Sequence, residues 1–178
     1  AVHIATEAID RLRTTGESHH RCMVAEVMGR HVGWIALHSG MASGAHAILI
    51  PENPQSLDQI AEWVTQARDR GRAPLVVVAE GFVTTDMESP HSERGLDAFG
   101  RPRLGGIGEL LAPEIEARTG IATRATVLGH IQRGGVPTAY DRVLATRLGM
   151  AAIDSVIDGL WGTMVALHGT DIVHVGFE

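Results

Sequence analysis

Three stretches of this sequence place a glycine beside an ionisable residue directly after an apolar run. Met28-Gly29-Arg30 follows Cys22–Val27, and Glu80-Gly81 follows Leu75–Ala79. Gly129-His130-Ile131-Gln132-Arg133-Gly134-Gly135 follows the run at 123–128. A fourth run, 45–50, leads into Pro51-Glu52. Glycine lets backbone approach a ligand closely. A guanidinium forks onto phosphate oxygens, and an imidazole can donate to them. A carboxylate in the same rim accepts hydrogen bonds from sugar hydroxyls. The combination points to a phosphorylated polyol.

Each residue also has a plainer account. Glu80 alone reads as a solvated charge at a strand end, and His130 alone as a structural histidine. The company of Arg133 and a following Gly-Gly turns His130 towards function. Arg30 stands at the start of a helical pattern, where the helix dipole favours anions, so it does not serve the helix. Arg124 interrupts an apolar strand, which marks an edge or an interface. Arg21, just before the first strand, reads as a surface charge.

Other chemistry is weakly signalled. The ten histidines, His19-His20 among them, have no cysteine or paired carboxylates at metal-ligand spacing, so no metal centre is expected from this chain. Gly105-Gly106-Ile107-Gly108 is like a piece of a phosphate loop, but it follows no strand and lacks the lysine. It reads as the start of a helix. No serine sits in a nucleophile elbow.

The elements that must position these residues alternate. Val2, Ala5, Ala8, Ile9 and Leu12 make a helical stripe over 2–13, ended by Gly16. Trp34, Ile35, Leu37 and Met41 make a second, broken at Gly44. Ser56 with Gln59 forms a capping box before Leu57, Ile60, Ala61 and Val64, and Gly71 closes that helix. Residues 81–103, with Pro90, Gly95, Gly100 and Pro102, read as a long surface loop. Ile107 to Ile115 is helical up to Gly120, and 141–157 is a strongly amphipathic helix. Met164 to Val175 reads as a hairpin turning at Gly169. Strands apolar throughout, each separated by a helix, indicate a parallel sheet covered on both faces. The fold class is α/β, a Rossmann-like three-layer sandwich with a short antiparallel hairpin near the C-terminus.

Composition sets outer bounds. The chain has 178 residues, 44% hydrophobic and 20% charged, enough for one domain or one domain and part of another. A net charge of -6 argues against a nucleic-acid footprint. One cysteine, Cys22, excludes an internal disulfide framework and fits a reducing cytosol. No apolar run approaches the roughly 18 residues that a bilayer requires, so no membrane association is expected. No signal peptide is visible, and a cytoplasmic location is expected. The chain starts Ala1-Val2-His3-Ile4 within a helical pattern, which suggests a fragment.

The longer motifs resemble those of one family. Val24-Ala25-Glu26-Val27-Met28-Gly29-Arg30 resembles the substrate motif of the ATP- or pyrophosphate-dependent 6-phosphofructokinases. Val127-Leu128-Gly129-His130-Ile131-Gln132-Arg133-Gly134-Gly135-Val136-Pro137, running on to Asp141-Arg142, resembles that family's signature more closely still. Glu7-Ala8-Ile9-Asp10-Arg11-Leu12 and the strand end before Glu80 also match, and the long loop at 81–103 is similar to that of actinobacterial members.

The resemblance implies roles. Arg30 would lie near the transferred phosphoryl group, with Met28 and Gly29 lining the sugar. Glu80 would accept from fructose hydroxyls, and His130 and Arg133 would hold the 6-phosphate. Arg21 and Arg124 would reach across a subunit interface to a neighbour's site, which implies a homo-oligomer, typically a tetramer. Residues 20–135 with 136–160 would form most of the fructose-6-phosphate domain. Residues 1–19 and 161–178 would pack on, or link to, a donor-binding domain absent here, leaving an incomplete phosphofructokinase fold.

Departures from the family pattern carry their own expectations. The family's glycine-rich donor loop and aspartate-rich catalytic turn have no counterpart in this sequence. The general base, the Mg2+ ligands and the donor site, for ATP or pyrophosphate, would therefore lie outside it, and the chain alone would be inactive. His46 stands where allosteric members carry an effector-site glutamate, so effector control of that type is not implied. The enzyme reading stands beside a second one, a non-catalytic sugar-phosphate-binding module. A generic nucleotide-binding domain is disfavoured by the lack of a complete phosphate loop. An open sheet edge and an uncovered apolar surface are expected of the isolated chain, with poor solubility.

Overall fold

The computed structural model describes residues 1–86 and 106–177. Its contacts form two compact units, Ala1–Gly134 and Gly135–Glu178. The first holds α1 (Val2–His19), β1 (Cys22–Val27), α2 (Trp34–Ala42), β2 (Ala47–Leu49), α3 (Leu57–Asp69), β3 (Leu75–Ala79), α4 (Ile107–Thr119), β4 (Thr123–Val127) and a 3-10 turn, Gly129–Arg133. The second holds α5 (Ala139–Ile157) and the hairpin β5 (Thr163–His168) and β6 (Asp171–Gly176).

The four strands of the first unit run in the order β2-β3-β1-β4, every neighbouring pair parallel. Successive β1 residues feed opposite cores. Cys22 and Val24 join Ile60, Val64, Leu111 and Ile115 of α3 and α4 on one face. Met23, Ala25 and Val27 join Ala5 and Ile9 of α1 and Ala36 of α2 on the other. Burying each large aliphatic side chain of this kind contributes about 1.5–3 kcal/mol. The three-layer architecture is therefore as the apolar runs imply. Within the first unit α1 packs on β1 and α2, and the boundary between the two units falls after Gly134.

Several element ends move for identifiable reasons. Gly16 does not stop α1, which continues to His19. A Cβ there would lie 2.9 Å from Met23 Cγ and 3.2 Å from the Arg21 carbonyl oxygen, so this glycine serves a close approach. Termination falls instead to His20, left-handed at φ 53°. The second helix starts at Trp34, beyond Arg30, and Glu52 accepts the Gly33 N–H at its N-terminus at 2.9 Å. That carboxylate suits the helix dipole. β2 is trimmed to three residues.

The expected capping box at Ser56 is half formed. Ser56 Oγ accepts the Gln59 N–H, but the Gln59 side chain turns to Glu62. Asp86 Oδ2 accepts the Leu57 N–H instead, at 2.6 Å. Of the long loop, Gly81 to Asp86 are described, and Thr84 bridges to Gln55; Pro90, Gly95, Gly100, Pro102 and Gly105 lie outside the described residues. In the second unit α5 opens two residues early, with a full capping box between Thr138 and Asp141. It is not the sharply amphipathic helix expected: Val143, Met150, Ile153 and Ile157 are all exposed and only Ser155 is buried. β4 is an open edge of its sheet, with Val127 exposed.

Candidate functional site

Parallel order puts the carboxyl ends of β3, β1 and β4 side by side. The residues that follow them are tied together by backbone. Glu80 N–H donates to Val27 O at 2.9 Å, and Gly81 N–H donates to Gly29 O at 2.9 Å. Gly29 N–H donates to Glu80 Oε1 at 3.3 Å. On the other side of β1, Leu128 N–H donates to Glu26 O at 3.0 Å, which carries the pairing of β4 one residue past its end. The glycines are needed. Gly29 has φ 147°, and a Cβ on it would meet the Val32 carbonyl oxygen at 2.8 Å.

The 3-10 turn brings the third group of side chains. Residues three apart eclipse on such a turn, so His130 and Arg133 rise on one side of it, and both are exposed. Gln132 points inward and is fully buried. Its Oε1 accepts the Met28 N–H at 3.2 Å, and its Nε2 donates to Gly129 O at 3.0 Å. Met28, Gly29, Arg30 and Glu80 are half-buried at the same end of the sheet. Met28, Gly29 and Arg30, Glu80, and the turn bearing His130 and Arg133 thus follow three adjacent strand ends. In open α/β sheets this is where ligands bind. The chemistry on offer is two guanidinium groups and an imidazole for an anion, and a carboxylate for hydroxyls.

Arg21 and Arg124 do not join it. Arg21 precedes β1, and Arg124 pairs with Met23 at the amino end of the sheet. Arg21 lies seven residues before Met28 and Arg124 six before His130, which at about 3.3 Å per residue separates them from the cluster by roughly 20 Å. Arg124 ion-pairs with Glu116 at 3.3 Å and donates to Thr123 O at 2.7 Å. An open groove of about 740 Å³ lies at that same end, lined by Asp10, Arg13, Thr14, Glu17, Ser18 and Arg72.

Two polar residues of this region were passed over in the sequence. Gln132 is one. Glu26 is the other, inside a strand that reads as apolar. It is 2% exposed. Its carboxylate accepts the Gly106 N–H at 2.9 Å and the Gly108 N–H at 2.8 Å, seating the first turn of α4 against β1. Burial raises its pKa, the Gly108 and Gly106 N–H groups pull it back down, and the nearby carboxylates of Glu80 and Glu109 add to the rise. The signal was available: a carboxylate in a strand with both faces covered must find buried donors.

Among the described residues, no group of three or more His, Cys, Asp or Glu is arranged to hold a metal ion. Among the same residues no helix is long and apolar enough to cross a membrane.

Residues 1–156 match the family model described as Phosphofructokinase. Over 175 residues the chain is 62% identical to a pyrophosphate–fructose 6-phosphate 1-phosphotransferase of Amycolatopsis methanolica, covering 98% of this chain and 51% of that protein. It is 52% identical over 176 residues to an ATP-dependent 6-phosphofructokinase of Mycobacterium tuberculosis, with 98% and 51% covered. The chain spans about half the length of the curated relatives it matches. Among solved structures, the phosphofructokinase of Saccharomyces cerevisiae superposes with a TM-score of 0.79 at 35% identity, over 98% of this chain and 22% of that one. A pyrophosphate-dependent phosphofructokinase of Marinobacter aquaeolei superposes with a TM-score of 0.72 at 25% identity, over 98% and 44%. With the family model matched over most of its length and its sheet shared with solved members, this chain belongs to the phosphofructokinase family.

Proposed function

We propose that the protein containing this chain phosphorylates the 1-hydroxyl of fructose 6-phosphate to give fructose 1,6-bisphosphate, a step of glycolysis, and that this chain supplies the sugar-phosphate site. The supporting observation is the convergence of Met28-Gly29-Arg30, Glu80 and the turn bearing His130 and Arg133 on adjacent strand ends. In this reading His130 and Arg133 hold the 6-phosphate, and the Glu80 carboxylate accepts from sugar hydroxyls. The Met28-Gly29 backbone lines the sugar. Arg30 neutralises charge on the group in transfer. The new bond joins the sugar O1 to the donor's terminal phosphorus, the bond to the leaving phosphate or diphosphate breaks, and the hydroxyl proton passes to a base outside this chain.

The donor is ATP or pyrophosphate, and relatives of both names match the chain at 52–62% identity. When bound, Mg2+ neutralises phosphate charge; its ligands and the donor loop belong, in this reading, to a further domain on which residues 1–19 and 161–178 pack. The protein works in the cytoplasm as a homotetramer, with Arg21 and Arg124 serving a neighbour's 6-phosphate. Their place at the far end of the sheet from their own chain's cluster agrees with that role.

The test is steady-state kinetics of His130→Ala and Arg133→Ala in the whole protein. A charge-assisted phosphate contact is worth about 1.5–3 kcal/mol, so each should raise KM for fructose 6-phosphate by about ten- to a hundred-fold. Unchanged KM in both variants removes the assignment.

A further inference from the structure

We infer that Gln132 is a positioning residue, a clasp that locks the turn carrying His130 and Arg133 to the end of β1. The inference rests on the reading of that turn as the phosphate-binding element. Its starting point is an anomaly of burial. His130, Ile131, Arg133 and Gly134 are all exposed, yet the amide between them is fully buried. A primary amide in an apolar interior costs free energy unless its groups are hydrogen-bonded.

Both ends of this one are used, and what they hold is specific. Met28 lies one residue past the β1 ladder, and its N–H is accepted by Gln132 Oε1 at 3.2 Å. Gly129 opens the 3-10 turn, and its carbonyl oxygen accepts from Gln132 Nε2 at 3.0 Å. One side chain therefore spans 104 residues of sequence to join the backbone that would line the sugar to the backbone that would carry the phosphate ligands.

The connection continues. Gly29, next to Met28, donates its N–H to Glu80. The turn, β1 and β3 thus share one hydrogen-bonded line from Gly129 to Glu80. A sugar phosphate bound at its phosphate and at its hydroxyls is read across that line, so the spacing set by Gln132 decides whether both ends fit at once. The residue type is demanding. The position needs a donor and an acceptor on one planar group at the reach of two methylenes. Asparagine is too short, glutamate lacks the donor when ionised, and methionine fills the volume with neither.

Two variants of the whole protein test this. Gln132→Met keeps the shape and removes both bonds. With both hydrogen bonds lost, it should raise KM for fructose 6-phosphate about ten-fold, with kcat changed less than KM. Hydrogen exchange at the Met28 amide, read by NMR or mass spectrometry, should quicken in the same variant. Gln132→Glu keeps the acceptor for Met28 and loses the donor to Gly129, so Met28 stays protected while KM still rises; it carries the test should the methionine variant not fold. Wild-type KM in the folded variants overturns the clasp, whatever the exchange shows. So does a raised KM in Gln132→Met with Met28 exchange at the wild-type rate. His130→Ala and Arg133→Ala run beside them: if these also leave KM unchanged, the phosphate-binding reading of the turn is what fails.

Discussion

A methyl group on Gly81 would lie 1.9 Å from the carbonyl oxygen of Arg30. The ends of β3 and β1 meet there backbone to backbone, with Gly81 N–H donating to Gly29 O at 2.9 Å. Gly81→Ala must push the two strand ends apart. The expected cost is about 3 kcal/mol of stability, at the upper end of overpacking effects. The displaced Arg30 and Glu80 should also lose fructose 6-phosphate affinity. Denaturant unfolding and KM measured on the same variant check both halves.

Arg30 should behave differently from the phosphate ligands. In the proposed reaction it faces charge that builds up during transfer, whereas His130 and Arg133 face a phosphate whose charge does not change. Arg30→Ala should therefore lower kcat by about a hundred-fold or more and raise KM far less. A variant whose only defect is in KM would contradict this role.

The His46 ring gives the first unit a pH dependence. Burial holds its pKa below the ordinary 6.5, helped by the guanidinium groups of Arg72 and Arg13, with Glu17 opposing. The neutral ring accepts the Leu75 N–H at Nδ1, at 3.1 Å. A folded-state pKa below the unfolded one means that the unfolded chain binds the proton first as pH falls. The stabilisation is complete above about 6.5 and is lost as pH drops from there through the lowered folded value. Unfolding midpoints should fall on acidification over this window in the wild type and less so in His46→Gln. Equal slopes in the two proteins would remove His46 as the cause.

His20 is the non-glycine residue held left-handed among the described residues, at φ 53° and ψ 42°. It caps α1 through its backbone N–H to Gly16 O, and its side chain is exposed. The cap needs the conformation and not the imidazole. His20→Gly should stabilise the first unit by about 0.5–1 kcal/mol, read as a raised unfolding midpoint. A lowered midpoint would show that the imidazole contributes after all.

The layered sheet was legible because β1 and β3 are buried on both faces, and such strands announce themselves as apolar runs, unbroken in β3 and interrupted in β1 only by Glu26. Glycine was harder to read. Gly16 and Gly120 look alike in sequence, yet Gly120 ends α4 at φ 67° while Gly16 lies inside α1 against Met23. A stop and a close approach use the same residue, and only the packing partner tells them apart. The site was visible where glycines stand beside charges at strand ends, because that pattern follows from the parallel topology. Gln132 and Glu26 were hidden for the opposite reason. Each looks solvated by type, and a donor that justifies its burial lies far off in sequence, the Gly106 N–H 80 residues from Glu26 and the Met28 N–H 104 residues from Gln132. Arg124 stood out by interrupting an apolar strand, whereas Arg21 drew attention only through likeness to a family.

The first strand of this sequence lies in the interior of its sheet. β1 takes β3 on one edge and β4 on the other, and those segments emerge about fifty and a hundred residues later. During synthesis both edges of β1 wait for chain that the ribosome has not yet delivered, and contacts this distant in sequence form slowly. The Met28 amide finds its glutamine only when the last of these strands has docked. A nascent chain released before residue 132 would carry Gly29, Arg30, Glu80 and Gly81 and still leave the Met28 amide without the side chain that accepts it.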